Sequence, residues 1–195
     1  MANQWNHTAL LVIDMQRDFF DERSVIAIPG AYAIVPSVVD AVEIARKRRM
    51  LIVWVVREHD PEGRDVERFR RHFYGSGKQN PVAKGSRGAE LVDGLEIKEG
   101  EYKLVKTRFS AFFNTNLHSL LQREGINNLV VAGVQTPNCI RQTVFDAVAL
   151  DYHSITLLHD ATAAATPKTH HDNIADMENV GVVAKRVDQW GESDD

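Results

Sequence analysis

The chain has 195 residues, 44% of them hydrophobic, enough to bury a sizeable core in what is expected to be one domain spanning 1–195. A net charge of -4 with acidic and basic residues interleaved leaves no footprint for nucleic acid or an anionic membrane, so a small-molecule substrate is the expected partner. One cysteine excludes an internal disulfide, no apolar run reaches membrane-spanning length, and the first seven residues lack the regions of a signal peptide, from which a cytoplasmic location is expected.

In chain order, the first predicted strand, 9–13, is a run of aliphatic residues ending at Asp14. A helix over 34–48 follows, with Pro36 in its first turn. The second strand, 51–56, is continuously apolar and ends at Arg57; such runs suit parallel strands covered on both faces. The segment 58–100 is rich in Gly and charge, with short helical potential over 66–72, and a connection of that length is more often a lid or binding element than filler. A third strand, 102–105, leads to Lys106, and a helix over 115–123 is closed by Gly125. The fourth strand, 128–132, breaks at Gly133, and Cys139 follows where a helix over 138–150 begins. The fifth strand, 154–158, precedes Asp160; Thr166 and Pro167 open a helix over 167–178; the sixth strand is 182–185. This alternation predicts an α/β fold, a doubly wound, mostly parallel six-stranded sheet of order 3-2-1-4-5-6 with helices on both faces. Ligands in such sheets bind beyond the carboxyl ends of the strands, where Asp14, Arg57, Lys106, Cys139 and Asp160 are expected to gather.

A thiol becomes a useful nucleophile when a neighbour accepts its proton or stabilises the thiolate. Asp14, desolvated at the end of an apolar strand, is a candidate base, and Lys106 a candidate counter-charge. Cys139 at a strand-to-helix turn would sit in the positive end of a helix dipole, and the amides there would form an oxyanion hole. Each residue has a plainer reading: Cys139 as a small buried hydrophobe, Asp14 and Lys106 as an ion pair ending two strands. Convergence at three strand ends near one switch point favours chemistry.

The run Leu11-Val12-Ile13-Asp14-Met15-Gln16 with Asp18-Phe19-Phe20, then Lys106 with Ser110-Ala111-Phe112, then Gly133-Val134-Gln135-Thr136 before Cys139 resembles the isochorismatase-like cysteine hydrolases. That family includes nicotinamidases, N-carbamoylsarcosine amidohydrolases and ureidoacrylate hydrolases, and the resemblance covers nearly the whole chain. It implies Asp14 as base, Lys106 as orienting cation and Cys139 as nucleophile. It also implies a cis peptide at Val134-Gln135 that aims the amides of Gln135 and Cys139 at an oxyanion, and assembly as a dimer or tetramer. Two departures matter. Nicotinamidases carry an Asp and two His as a metal site after the second strand, whereas Arg57-Glu58-His59-Asp60-Pro61-Glu62-Gly63-Arg64 holds one His, so no metal or other cofactor is expected. Isochorismate-cleaving members lack the nucleophilic Cys, which this chain has.

For the substrate, Arg57 is a candidate anion-recognising fork because strand geometry brings it to the site, with Arg64 as a second partner if the long loop folds back. The rest of the run Arg64 to Arg71 reads as a solvated face, with Asp65 and Glu67 interleaved. Phe19 and Phe112 are candidate pocket walls beside Phe20 and Phe113, and Gln135 and Asn138 candidate holders of a substrate amide. His118, His153, His159, His170 and His171 have no spacing that demands a shared role. The reading is a metal-independent cysteine amidohydrolase of a small amide, carbamoyl or ureido compound, acting through a thioester. The alternatives are a vinyl-ether hydrolase and a non-catalytic binding or scaffolding module.

Overall fold

Six parallel strands in the order β3-β2-β1-β4-β5-β6 form the spine of the computed structural model, which describes residues 4–192. They are β1 (Thr8–Ile13), β2 (Leu51–Arg57), β3 (Tyr102–Lys106), β4 (Asn128–Val134), β5 (Ser154–Ala163) and β6 (Val183–Lys185). The central β1 is buried at every residue, as expected of a parallel strand covered on both faces. One apolar layer holds Leu10, Val12 and Trp54 under helix α1 (Val35–Lys47); the other holds Leu11, Ile13 and Val131 under α2 (Leu117–Arg123) and α3 (Arg141–Ala149). Helix α1 shows why: Val38, Ala41, Val42 and Ala45 recur at helical spacing and are all buried. Helix α4 (Pro167–Glu178) opens with Pro167 after the Thr166 cap, whose hydroxyl accepts from the Thr169 amide at 3.2 Å.

The registers bring the strand ends level. Ile13 lies opposite both Val55 and Gly133, and Arg57 opposite Lys106, so β2 and β3 each run one residue further than predicted. At Gly133 the chains approach so closely that a Cβ would lie 2.0 Å from the Ile13 carbonyl oxygen, and φ is +114°. Glycine alone fits there.

Other expectations need correcting. Asp160 does not follow β5; it lies within it, because the β4 ladder shifts between Val131 and Gly133 and carries β5 on to Ala163. Its carboxylate caps helix α5 (Val187–Glu192), accepting from the Val187 amide at 2.9 Å and pairing with Arg186 at 3.6 Å, which removes it from the site. Helix α5 was not predicted. It brings Trp190 edge-on to Trp5, with the Arg48 guanidinium over both rings. The helical potential over 66–72 becomes a 3-10 segment, Arg68–Phe73, inside a long cover of turns. Cys139 lies not in the first turn of a regular helix but in a π-helical turn, Thr136–Ile140, which runs into α3.

Candidate active site

Asp14 leaves β1 in the left-handed region, at φ 54°, a conformation that Asp tolerates better than most side chains. Its amide still joins the sheet by donating to Val55 O at 2.8 Å, so the backbone is held while the side chain turns over the strand ends. Lys106 closes β3 and Cys139 arrives from the turn after β4. The three meet: Lys106 Nζ donates to Asp14 Oδ2 at 2.7 Å, to Cys139 Sγ at 3.3 Å and to Arg108 O at 3.1 Å. All three ammonium hydrogens are thereby engaged. Asp14 is 0% exposed, Lys106 1% and Cys139 3%, so the cluster is sealed from solvent. Asp14 Oδ1 is buried and lacks a hydrogen-bond partner, which leaves one carboxylate oxygen open to accept a proton.

The turn bearing Cys139 is tied down from two sides. Thr143 Oγ1 donates to Cys139 O at 2.7 Å and accepts from the Ala111 amide at 2.9 Å, linking α3 to the loop after β3. Thr136 Oγ1 meets His170 Nδ1 of α4 at 2.9 Å, and burial, aided by His171 alongside, holds the His170 pKa below its ordinary value. The Val134-Gln135 peptide is cis. The amides of Asn138 and Ile140 both donate to Gln135 O, at 3.0 and 3.3 Å.

Arg57 is fully buried beside this cluster. Its Nε lies 3.7 Å from Asp14 Oδ2, its Nη2 3.8 Å from Cys139 Sγ and 3.1 Å from Glu67 Oε1, and its Nη1 3.3 Å from His59 Nε2. Burial opposes its charge, but facing Cys139, Asp14 and Glu67 outweigh burial and raise its pKa. Burial likewise works against ionised Glu67, yet the Arg57 guanidinium wins and holds its pKa below the ordinary value. Phe109 stacks over Arg57, centroid to Cζ 5.4 Å, and the Arg70 guanidinium lies 5.1 Å from the same ring. Glu67 and Phe109 therefore cover Arg57, whose Nη2 reaches Cys139, and Arg70 shares the same ring. Phe109 also lines an open groove of about 240 Å³ together with Arg108, Ser110, Phe113, Gln142 and Asp146, and so stands between that groove and Arg57.

The remaining candidates separate clearly. Gln135, which caps the turn, and Asn138, which precedes Cys139 within it, are partly buried. Phe19 is in the core under α1, on the other side of the sheet from the Cys139 cluster. Phe112 packs on Tyr152 and His118, at 5.7 and 6.4 Å between centroids, and Phe109 takes the wall position in its place. Arg64 does not fold back; its side chain is 73% exposed and pairs with Asp60 at 2.7 Å. The fork of Arg57 is not open to a ligand, because Glu67 holds it. Glu67 and Arg70, expected on a solvated face, turn inward instead, with side chains 12% and 13% exposed, and Phe109 was not singled out, since nothing in a loop's composition tells which side chains turn inward. Thr143, on α3, carried no signal of its role under Cys139.

The residues after β2 do not fit a metal ion. Arg57 Nη1 donates to His59 Nε2, which leaves Nδ1–H to face Asp65 Oδ1 at 3.1 Å, and a guanidinium stands where a second cation would have to approach. Burial and Arg57 both lower the His59 pKa. Among the described residues no group of three or more His, Cys, Asp or Glu could hold a metal.

An isochorismatase-domain family model matches residues 8–189. The chain belongs to the isochorismatase family. Within that family it is 63% identical over 193 residues, 98% of each chain, to a protein of Arabidopsis thaliana named as a probable inactive nicotinamidase. It is 32% identical over 177 residues to a ureidoacrylate amidohydrolase of Klebsiella pneumoniae, covering 82% of this chain and 75% of that one. A crystal structure of an isochorismatase family protein from Desulfovibrio vulgaris superposes with a TM-score of 0.91 at 40% identity, over 94% of this chain and 96% of that one. The family thus includes amidohydrolases, and among the described residues no helix is long and apolar enough to cross a membrane.

Proposed function

We propose that this isochorismatase-family chain is a metal-independent cysteine amidohydrolase that cleaves the C–N bond of a small amide, carbamoyl or ureido substrate. The observation that carries the reading is the Lys106 ammonium, 2.7 Å from Asp14 Oδ2 and 3.3 Å from Cys139 Sγ. Asp14, through its unpartnered Oδ1, takes the proton from Cys139 as sulfur attacks the carbonyl carbon. Lys106 compensates the negative charge throughout. The amides of Gln135 and Cys139 receive the oxyanion; those of Asn138 and Ile140 are engaged with Gln135 O. Protonated Asp14 then gives its proton to the departing nitrogen, leaving a thioester. Water, deprotonated by Asp14, attacks the thioester and regenerates the thiol.

The test is an ammonia-release screen across carbamoyl, ureido and nicotinamide-like amides, with Cys139→Ala in parallel. Turnover that requires Cys139 supports the reading; ammonia release that survives its loss overturns the cysteine mechanism. A second reading, a non-catalytic member of the fold, is favoured by the word "inactive" in the name of the Arabidopsis relative and by the sealed state of Cys139. It stands if no C–N substrate turns over and Cys139 resists alkylation in the folded protein.

A further inference from the structure

The guanidinium whose fork is free for a substrate is not that of Arg57 but that of Arg70. Arg57 directs its Nη hydrogens at His59, Glu67 and Cys139, its Nε lies fully buried 3.7 Å from Asp14 Oδ2 without a hydrogen bond, and Lys106 has all of its own hydrogens engaged. Arg70 differs: its side chain is 13% exposed, its one charged partner is Glu67 at 3.8 Å, and among the described residues its guanidinium makes no hydrogen bond. Such a group is costly to bury unless something pairs with it. Phe69 and Phe109 flank it, each ring centroid 5.1 Å from Cζ, so it faces the site between aromatic walls. With Cys139 as a thiol, Arg57, Lys106 and Arg70 face only Asp14 and Glu67, which leaves one positive charge uncompensated. Burial and the neighbouring Arg57 lower the Arg70 pKa, while Glu67, Cys139 and Asp14 act the other way. An added anion would relieve that cost.

We infer that Arg70 is the specificity-determining residue of this site and receives a carboxylate on the substrate while Cys139 faces the scissile carbonyl. The inference rests on the cysteine-hydrolase reading. Guanidinium suits a carboxylate because its planar donors match two oxygens at once. Arg70 rides on the 3-10 segment Arg68–Phe73, where its amide donates to Glu67 O at 2.9 Å, which fixes its backbone beside the residue that holds Arg57.

The chain's one cysteine makes the test independent of the natural substrate. Second-order alkylation rates of Cys139 are measured with iodoacetate, which carries a carboxylate, and with neutral iodoacetamide, and their ratio is compared between variants. Any change in thiolate content affects both reagents and cancels. In Arg70→Gln the iodoacetate-to-iodoacetamide ratio falls by about tenfold, the size of effect one nearby charge exerts in a partly shielded site. Arg70→Lys recovers part of it, and Arg71→Gln, on an exposed neighbour, leaves it unchanged. An unchanged ratio in Arg70→Gln, or equal slowing of both reagents, overturns the inference and leaves the cysteine reading standing. If Arg70→Gln does not fold, a ratio in Arg70→Lys equal to that of the wild type overturns the need for a planar donor, and with it the assignment. Failure of both reagents to modify Cys139 in the folded wild type overturns the cysteine reading and this inference together.

Discussion

Gln16 grips Arg57 by both ends of its peptide: its Oε1 accepts from Arg57 N at 2.7 Å and its Nε2 donates to Arg57 O at 2.6 Å. The same Nε2 donates to Ala89 O at 2.8 Å, so one carboxamide ties β2 to the long cover. Gln16 is 0% exposed, and Gln16→Ala strands several buried backbone groups. Since each costs about 1–3 kcal/mol when left unpaired, a loss of roughly 2–4 kcal/mol in unfolding free energy is expected. Denaturant titration measures it, and a loss near zero refutes the clamp.

Cys139→Ala and Asp14→Asn are each expected to abolish turnover, and the double variant to be no worse than either alone, because the groups act as one unit. Cys139→Ala is expected to stay folded with a somewhat lower melting temperature, since one Lys106 and one Arg57 hydrogen lose their sulfur acceptor, a weak one. Kinetics on the best hit of the ammonia screen decide; additive losses would separate the two roles.

Gly133→Ala places a methyl 2.0 Å from backbone that cannot yield, at a φ of +114°. The expected cost exceeds about 3 kcal/mol, in the range reserved for severe strain. Gly75→Ala, with nothing within 4 Å of the added Cβ, is the matched comparison for the positive φ alone. Equal melting temperatures for the two variants would refute the close approach.

Acid is expected to weaken the fold in two stages. His59 is held below its ordinary value of 6.5, so the unfolded chain takes up that proton first and stability declines as pH falls beneath 6.5. Glu67 is held below its ordinary 4.5; its contribution is intact above that value and is lost as pH falls through the lower, folded one. Melting curves across pH should show His59→Gln flattening the upper stage and Glu67→Gln the lower. A His59→Gln profile parallel to wild type would contradict the first assignment.

Prolonged dialysis against a strong chelator is expected to leave any Cys139-dependent turnover unchanged, because Arg57 stands against the one imidazole after β2. Activity lost with a stoichiometric metal and regained on its return would reverse that conclusion.

The sheet was legible because aliphatic runs such as 51–56 have few other uses, and strand order followed from crossover handedness. Asp14, Lys106 and Cys139 were legible for the same reason: parallel register places strand-end residues level with one another. Loop side chains obey no such rule. Arg64 and Arg70 lie on one charged stretch, yet Arg64 turns to solvent with Asp60 and Arg70 turns inward beside Phe109. Periodicity distinguishes the faces of a helix, not of a six-residue 3-10 segment. Asp160 was misplaced because a ladder irregularity lengthens β5 without a sequence signal, and α5 is too short, with Gly191 inside it, to announce itself.

The strand order has a kinetic corollary. Lys106 reaches Asp14 across 92 residues of chain and Cys139 across 33, and the three meet only once β3, β2, β1 and β4 lie side by side. During refolding from denaturant, helical signal from segments such as α1 can return early, because its contacts are local. The reactive thiol environment depends on the slowest, most distant pairings, so its recovery reports completion of the sheet rather than collapse of the chain.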